Sequence, residues 1–208
     1  MDITAIWDLF VTGILRGGLY ALMAVGLSLV FGVMNIPNFA HGEFYMLGAY
    51  VAYITYRTWD LPSLLAAIMP LSLASIVAPI LVILMAGLFG FVLGILVEKG
   101  VFYPLRIKSK EGWVMNTFLL TVGLSFVVQN VALSIWGGKH RGIPGYWKGS
   151  LNLGGRMNIP IDRLVAFLVT ILIIGIFWFF MHRTRAGRAI RAVSQDERGA
   201  ELVGINLN

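Results

Sequence analysis

Asn35, Asn38, His41 and Glu43 form a cluster of strongly polar side chains in a stretch that is otherwise apolar. Polar and ionisable groups at membrane depth are costly and often mark a substrate path. Pro37 lies inside the cluster. It removes a backbone donor and pushes Ile36 out of helical geometry, so the helix must break there. A broken helix offers free N–H groups and a positive end that can meet a carboxylate. With Glu43 beside that end, the site can in principle read both charges of a zwitterion. A simpler role competes. Asn38 can cap a second helix over 39–56, Glu43 can favour that helix's N-terminal turns, and the cluster can sit at the headgroups. Gln129 and Asn130 are a second polar pair in an apolar run. They can line a path or hydrogen-bond between helices. The residue types leave both pairs of alternatives open.

No other side-chain pattern points to reaction chemistry. G-x-x-x-x-G-K-[ST] is absent, so the chain lacks the phosphate cradle of a P-loop. Gly137-Gly138-Lys139 has neither the distant first glycine nor the hydroxyl residue after lysine. Neither G-x-S-x-G nor H-E-x-x-H occurs. His140 and His182 are isolated, without metal-ligand spacing. With no cysteine in the chain, disulfides and thiolate metal sites are excluded.

The elements that carry these residues are read from composition. The chain has 208 residues, 58% hydrophobic and 12% charged; soluble domains carry roughly 25% charged residues. Apolar runs recur at membrane-spanning length, and the alternation of a membrane β-barrel is missing. The fold class is therefore all-α, a polytopic integral membrane helical bundle. Spans are expected at about 17–34, 39–57, 64–97, 113–136 and 163–181. The run 64–97 contains Pro70 and Pro79, and reads either as a partial helix before a full span Ile80–Val97 or as one kinked helix. Residues 2–16 are either an interfacial helix anchored by Trp7 or the first turns of span one. Small-residue faces at Gly13/Gly17 and at Gly87, Gly90 and Gly94 suit close helix packing. Glu98–Glu111 and 137–162 read as loops, and Asp162 with Arg163 as the start of the last span. MDITAIWDLF lacks a basic n-region, so the first span is expected to be retained. A net charge of +6 fits basic loops beside anionic lipid and not nucleic-acid binding.

The polar stretch 184–208, TRAGRAIRAVSQDERGAELVGINLN, follows the last span directly. Ala189, Ala192, Val193, Ala200, Leu202 and Val203 can share an apolar surface beside Arg185, Arg188, Arg191, Arg198, Asp196, Glu197 and Glu201. Anchoring in a bilayer does not require such a surface, which suits docking to a soluble partner. Its pattern, T-R-x-G-R-A-x-R-A-x-x-x-D-x-x-x-A-x-L-x-G-I, resembles the cytoplasmic coupling loop of ABC importer permeases of the branched-chain amino acid class. Asn38-Phe39-Ala40-His41-Gly42-Glu43 with Gly48-Ala49-Tyr50 resembles the N-terminal signature of the same permeases.

The resemblance implies an ABC importer permease-like fold, of which this chain would be an N-terminal portion. It implies alternating access in a bacterial or archaeal cytoplasmic (inner) membrane, for branched-chain amino acids or related solutes. The chain would bind no cofactor and would not be an enzyme. ABC ATPase subunits would carry ATP and Mg. A second permease subunit and a periplasmic or extracellular substrate-binding protein would complete the assembly. Arg185, Gly187, Arg188, Arg191, Asp196, Ala200, Leu202 and Gly204 would form the coupling loop, its apolar side filling a groove in the ATPase. Counting one crossing per run from residue 57 on, nine Lys/Arg fall on the side of this loop and six on the other, which puts 184–208 in the cytoplasm. Alternatives are a permease of the same class for urea, short amides or other amino acids, an ion-coupled secondary transporter or channel, and a scaffolding membrane subunit.

Overall fold

The computed structural model describes residues 3–34, 38–108, 113–145, 147, 149–153 and 157–205. In chain order the elements are α1 (Ile3–Met34), α2 (His41–Tyr53), a π-helical turn (Ile54–Thr58), α3 (Leu61–Ala66), α4 (Leu71–Val97), a second π-helical turn (Glu98–Phe102), α5 (Tyr103–Lys108), α6 (Trp113–Trp136), β1 (Ser150–Leu153), β2 (Met157–Pro160), α7 (Ile161–Arg183), α8 (Arg185–Gln195) and α9 (Glu197–Leu202). Among the described residues four helices are long and apolar enough to cross a membrane: Ile6–Gly32, Leu71–Leu105, Met115–Trp136 and Ile161–Arg183. They leave large side chains such as Leu84, Phe91, Leu119 and Trp178 exposed. Helices satisfy their own backbone groups, so lipid can face such surfaces.

The chain divides into two compact units. The first joins residues 1–37 to residues 147–208. In it α1 packs on α7 and α8, and β2 packs on both α1 and α7. The approach of α1 to α7 centres on Gly18, where a Cβ would stand 2.7 Å from Cε2 of Phe167. Leu15 and Thr170 are buried. Thr170 can be buried because its hydroxyl donates to Ala166 O, one turn back, at 2.9 Å. The expected Gly13/Gly17 face is not what packs here, since a Cβ at either would meet nothing within 4 Å. β1 and β2 form an antiparallel hairpin with Leu151 opposite Ile159. This is the one departure from all-α among the described residues, inside a segment read from sequence as a loop.

The second unit is residues 38–146. Its core is made of small side chains: Ala74, Ala78, Thr117, Thr121 and Ala132 are buried, with Thr55 beside the first π turn. Small residues let helices approach closely in an apolar medium. Thr55 and Thr121 spend their hydroxyls on Val51 O and Phe118 O within their own helices. α2 packs on α4 and on α6. Phe39 meets Phe118 edge-on at 5.1 Å, and Tyr50 stacks on Trp136 at 4.2 Å. Rising numbers on one helix meet rising numbers on the other, so α2 and α6 run parallel.

Several expected boundaries move. Residues 3–16 are continuous with span one as a single helix. The run 64–97 breaks at Pro70, which caps α4 with extended ψ, and not at Pro79, which lies buried inside α4. Pro79 removes one N–H from the ladder, and the turns on either side carry the helix through. Among the described residues a Cβ at Gly87, Gly90 or Gly94 would meet nothing within 4 Å, so these glycines do not pack closely on another described helix. The expected loop after Val97 is helical through Lys108. Its charges do not forbid helix, because Lys, Arg and Glu are good helix formers. The second span, expected at 39–57, is a 13-residue helix extended by the π turn.

Candidate functional site

Two polar sites emerge, one in each unit. In the second unit, Glu43 lies in the first turn of α2 and is 9% exposed. Its Oε1 accepts from Ser125 Oγ at 2.8 Å and from Gln129 Nε2 at 2.6 Å, both on α6. Gln129 Nε2 also approaches Ser125 Oγ at 3.3 Å. Ser125 and Gln129 are four apart, hence on one helical face. A buried carboxylate needs such donors, because an unpaired one would cost several kcal/mol or neutralise (~2–7 kcal/mol even for an uncharged polar group).

The turn ahead of α2 is organised by Asn38. Its Oδ1 accepts from Ala40 N at 3.0 Å, and its backbone O accepts from His41 N at 3.2 Å. The N-cap itself is Ala40, without a side-chain cap. Asn38 therefore shapes the residues before the cap and is not the cap, a correction of two residues. His41 opens α2, half-buried. Asn130 does not join the cluster: its Nδ2 donates to Phe126 O at 2.8 Å in its own helix. Asn35 lies outside the described residues. The structure thus joins Glu43 to Gln129 and keeps Asn130 apart. Ser125 was missed, although its i, i+4 spacing to Gln129 was the available signal.

In the first unit, the polar stretch folds as two short helices. Thr184 caps α8: its Oγ1 donates to Phe180 O at 2.8 Å and accepts from Gly187 N at 3.0 Å. One hydroxyl so closes α7 and opens α8. Gly187 is buried, and a Cβ there would stand 2.5 Å from Met181 Cα and Phe180 O. α8 is amphipathic. Ala189, Ile190, Ala192 and Val193 are half-buried, and Arg185, Arg188 and Arg191 are exposed. Asp196, exposed, ends α8 and is the N-cap of α9. At the end of α9, Ile205 N donates to Ala200 O at 3.1 Å and Gly204 N to Glu201 O at 3.0 Å, with Gly204 at φ +84°. This pair of bonds closed by a left-handed glycine is the Schellman arrangement.

The surface expected from sequence is therefore corrected. Ala200 is 4% exposed and belongs to the chain's own packing, whereas Leu202 and Val203 are 89% and 76% exposed. Spacing defines a stripe but not whether its own chain covers it. What α8 and α9 offer outward is an arginine row and a two-residue apolar tip.

These features define a class: a multi-pass helical membrane protein in which the apolar helix α7 leads into a polar two-helix extension. Residues 9–208 match the family model described as the branched-chain amino acid transport system / permease component, and the chain belongs to that family. It is 32% identical over 202 residues to the high-affinity branched-chain amino acid transport system permease protein BraD of Pseudomonas aeruginosa, covering 95% of this chain and 62% of that protein. It is 30% identical over 205 residues to the corresponding LivH of Escherichia coli K12, covering 94% of this chain and 61% of LivH. A probable branched-chain amino acid transport permease protein LivH of Methanocaldococcus jannaschii is 25% identical over 199 residues, covering 93% of this chain and 56% of that protein. The chain thus spans about three-fifths of the length of these relatives. No solved structure matches it significantly.

Proposed function

We propose that the chain is a membrane-spanning permease subunit of an ABC importer for branched-chain amino acids, in a bacterial or archaeal cytoplasmic membrane. The observation that carries this reading is the α8–α9 extension of a chain in this family. An arginine row and an exposed Leu202–Val203 tip on a capped helical pair suit the groove of a soluble subunit. Helices that only hold a bilayer need no such tip. ATP and Mg belong on that ATPase subunit. A second permease subunit completes the path, and a binding protein delivers the substrate. Arg185, Arg188, Arg191 and Asp196 are rim contacts, Leu202 and Val203 enter the groove, and Gly187, Ala200 and Gly204 hold the shape.

Glu43 and Gln129 tie α2 to α6, and with Asn38 and His41 set the wall of the path. Asn130 faces its own helix and is left out of this role. The test is ATP-driven uptake of labelled leucine, with co-purification of the ATPase. Leu202→Asp with Val203→Asp is expected to abolish both while the protein stays folded. Retained ATPase binding in that variant sinks the docking role. Glu43→Gln reports on the path: unchanged uptake and unchanged substrate-stimulated ATPase activity remove the carboxylate's charge from the mechanism.

A further inference from the structure

The second unit carries a cationic recess that neither the polar tie nor the C-terminal extension uses. α6 ends at Trp136, and Gly137 turns the chain at φ +74°. Lys139, His140 and Arg141 follow at once and fold back beside α2. Arg141 Nη2 donates to Trp136 O at 2.9 Å, and the guanidinium lies 5.6 Å over the Tyr53 ring. One carbonyl and one ring face hold Arg141 in place, and a guanidinium has five N–H donors, so most remain for a ligand.

Two adjoining hollows share Tyr53, His140 and Arg141. One, of about 210 Å³, adds Lys139 with Met46, Ala49 and Tyr50 of α2. The other adds Arg57 from the π-helical turn. Among the described residues neither is lined by a carboxylate. Positions 46, 49, 50 and 53 share one helical face. The recess therefore has a cationic side built by a loop and an apolar side built by a helix. Like charges gathered in a concave site raise the local concentration of anions. The hollow that holds Lys139 measures about 210 Å³, and the adjoining one, which holds Arg57, about 570 Å³.

We propose that Arg57, Lys139 and Arg141, with Met46 and the Tyr50 and Tyr53 rings, form a vestibule that takes the carboxylate of a small aliphatic amino acid. This rests on the transport reading above and adds where the substrate is first held. The carboxylate meets the guanidinium and ammonium groups, and the aliphatic side chain lies against Met46 and the tyrosine rings. The π turn matters because its wider winding resets which face Arg57 occupies relative to Tyr53.

The test is ligand-observed NMR on the assembled transporter in phosphatidylcholine nanodiscs. The probes are leucine, isovalerate and isovaleramide, the last being the same shape without the negative charge. Leucine and isovalerate are expected to bind, and isovaleramide about tenfold more weakly or less. Arg57→Gln with Lys139→Gln is expected to weaken isovalerate about tenfold, and Arg57→Lys with Lys139→Arg to restore it. Equal binding of isovalerate and isovaleramide overturns the proposal. So does isovalerate binding that the double Gln variant leaves unchanged, or that phosphatidylglycerol in the nanodisc abolishes, since the site is then a lipid headgroup site. Isovalerate binding without leucine binding refutes the amino-acid occupant. ATP-driven leucine uptake is scored separately, so loss of uptake with intact binding faults the transport reading and spares the vestibule.

Discussion

Gly187 is required by backbone proximity and not by flexibility. A methyl group there meets Met181 Cα and the carbonyl oxygens of Phe180 and Met181, none of which can rotate away. Gly187→Ala is expected to cost about 1–3 kcal/mol, as overpacking does. Thermal unfolding in detergent should show a lowered midpoint, with Gly142→Ala, which meets nothing within 4 Å, as the silent control. Ala200→Leu belongs to the same class because Ala200 is buried. Its effect should appear as lost stability before any loss of ATPase contact. The residue pattern around Gly187 was legible in the sequence, through its resemblance to a coupling loop. The reason for the glycine was not, because a close approach between turns leaves no periodic trace. Ala200 was misjudged for a related reason: alanine suits an exposed stripe and a tight internal contact equally well.

At the level of elements, the α2–α6 pair is joined by polar bonds as well as by ring contacts. Glu43 lies 82 residues from Ser125 and 86 from Gln129 in sequence, yet one of its oxygens serves both. A double-mutant cycle of Glu43→Ala and Gln129→Ala, read by thermal unfolding, is expected to give a coupling of about 1 kcal/mol. A value indistinguishable from zero would mean that the Glu43–Gln129 bond adds nothing to the pairing of the helices. Apolar runs announced α1, α4, α6 and α7 because a membrane span writes its length into composition. The helical continuation to Lys108, the two π turns and the hairpin were hidden. Each is decided by backbone winding or strand pairing, which hydropathy does not record. The polar residues of the tie were legible as chemistry, but their partnership was not, since only the parallel run of α2 beside α6 brings them together.

For the whole molecule, that parallel run bears on topology. A helix parallel to α6 traverses the same layer in the same sense, so α2 is inferred to cross with it. α3, with six residues, reaches only about 9 Å and does not cross. The transport reading proposed above puts α8 and α9 in the cytoplasm and, if α2 is counted as a crossing beside the four longer helices, residues 137–145 outside. The absence of cysteine makes this directly measurable. Lys139→Cys should react with an impermeant maleimide in intact cells, and Leu202→Cys only after the membrane is opened. The reverse pattern overturns the orientation and, with it, ATPase docking. The single hydroxyl of Thr184 then has a mechanical meaning. It is bonded at once to the end of α7 and the start of α8, over a glycine with no room to spare. In the docking reading proposed above, a push on α8 would reach α7 through that one joint, with no intervening loop to absorb it.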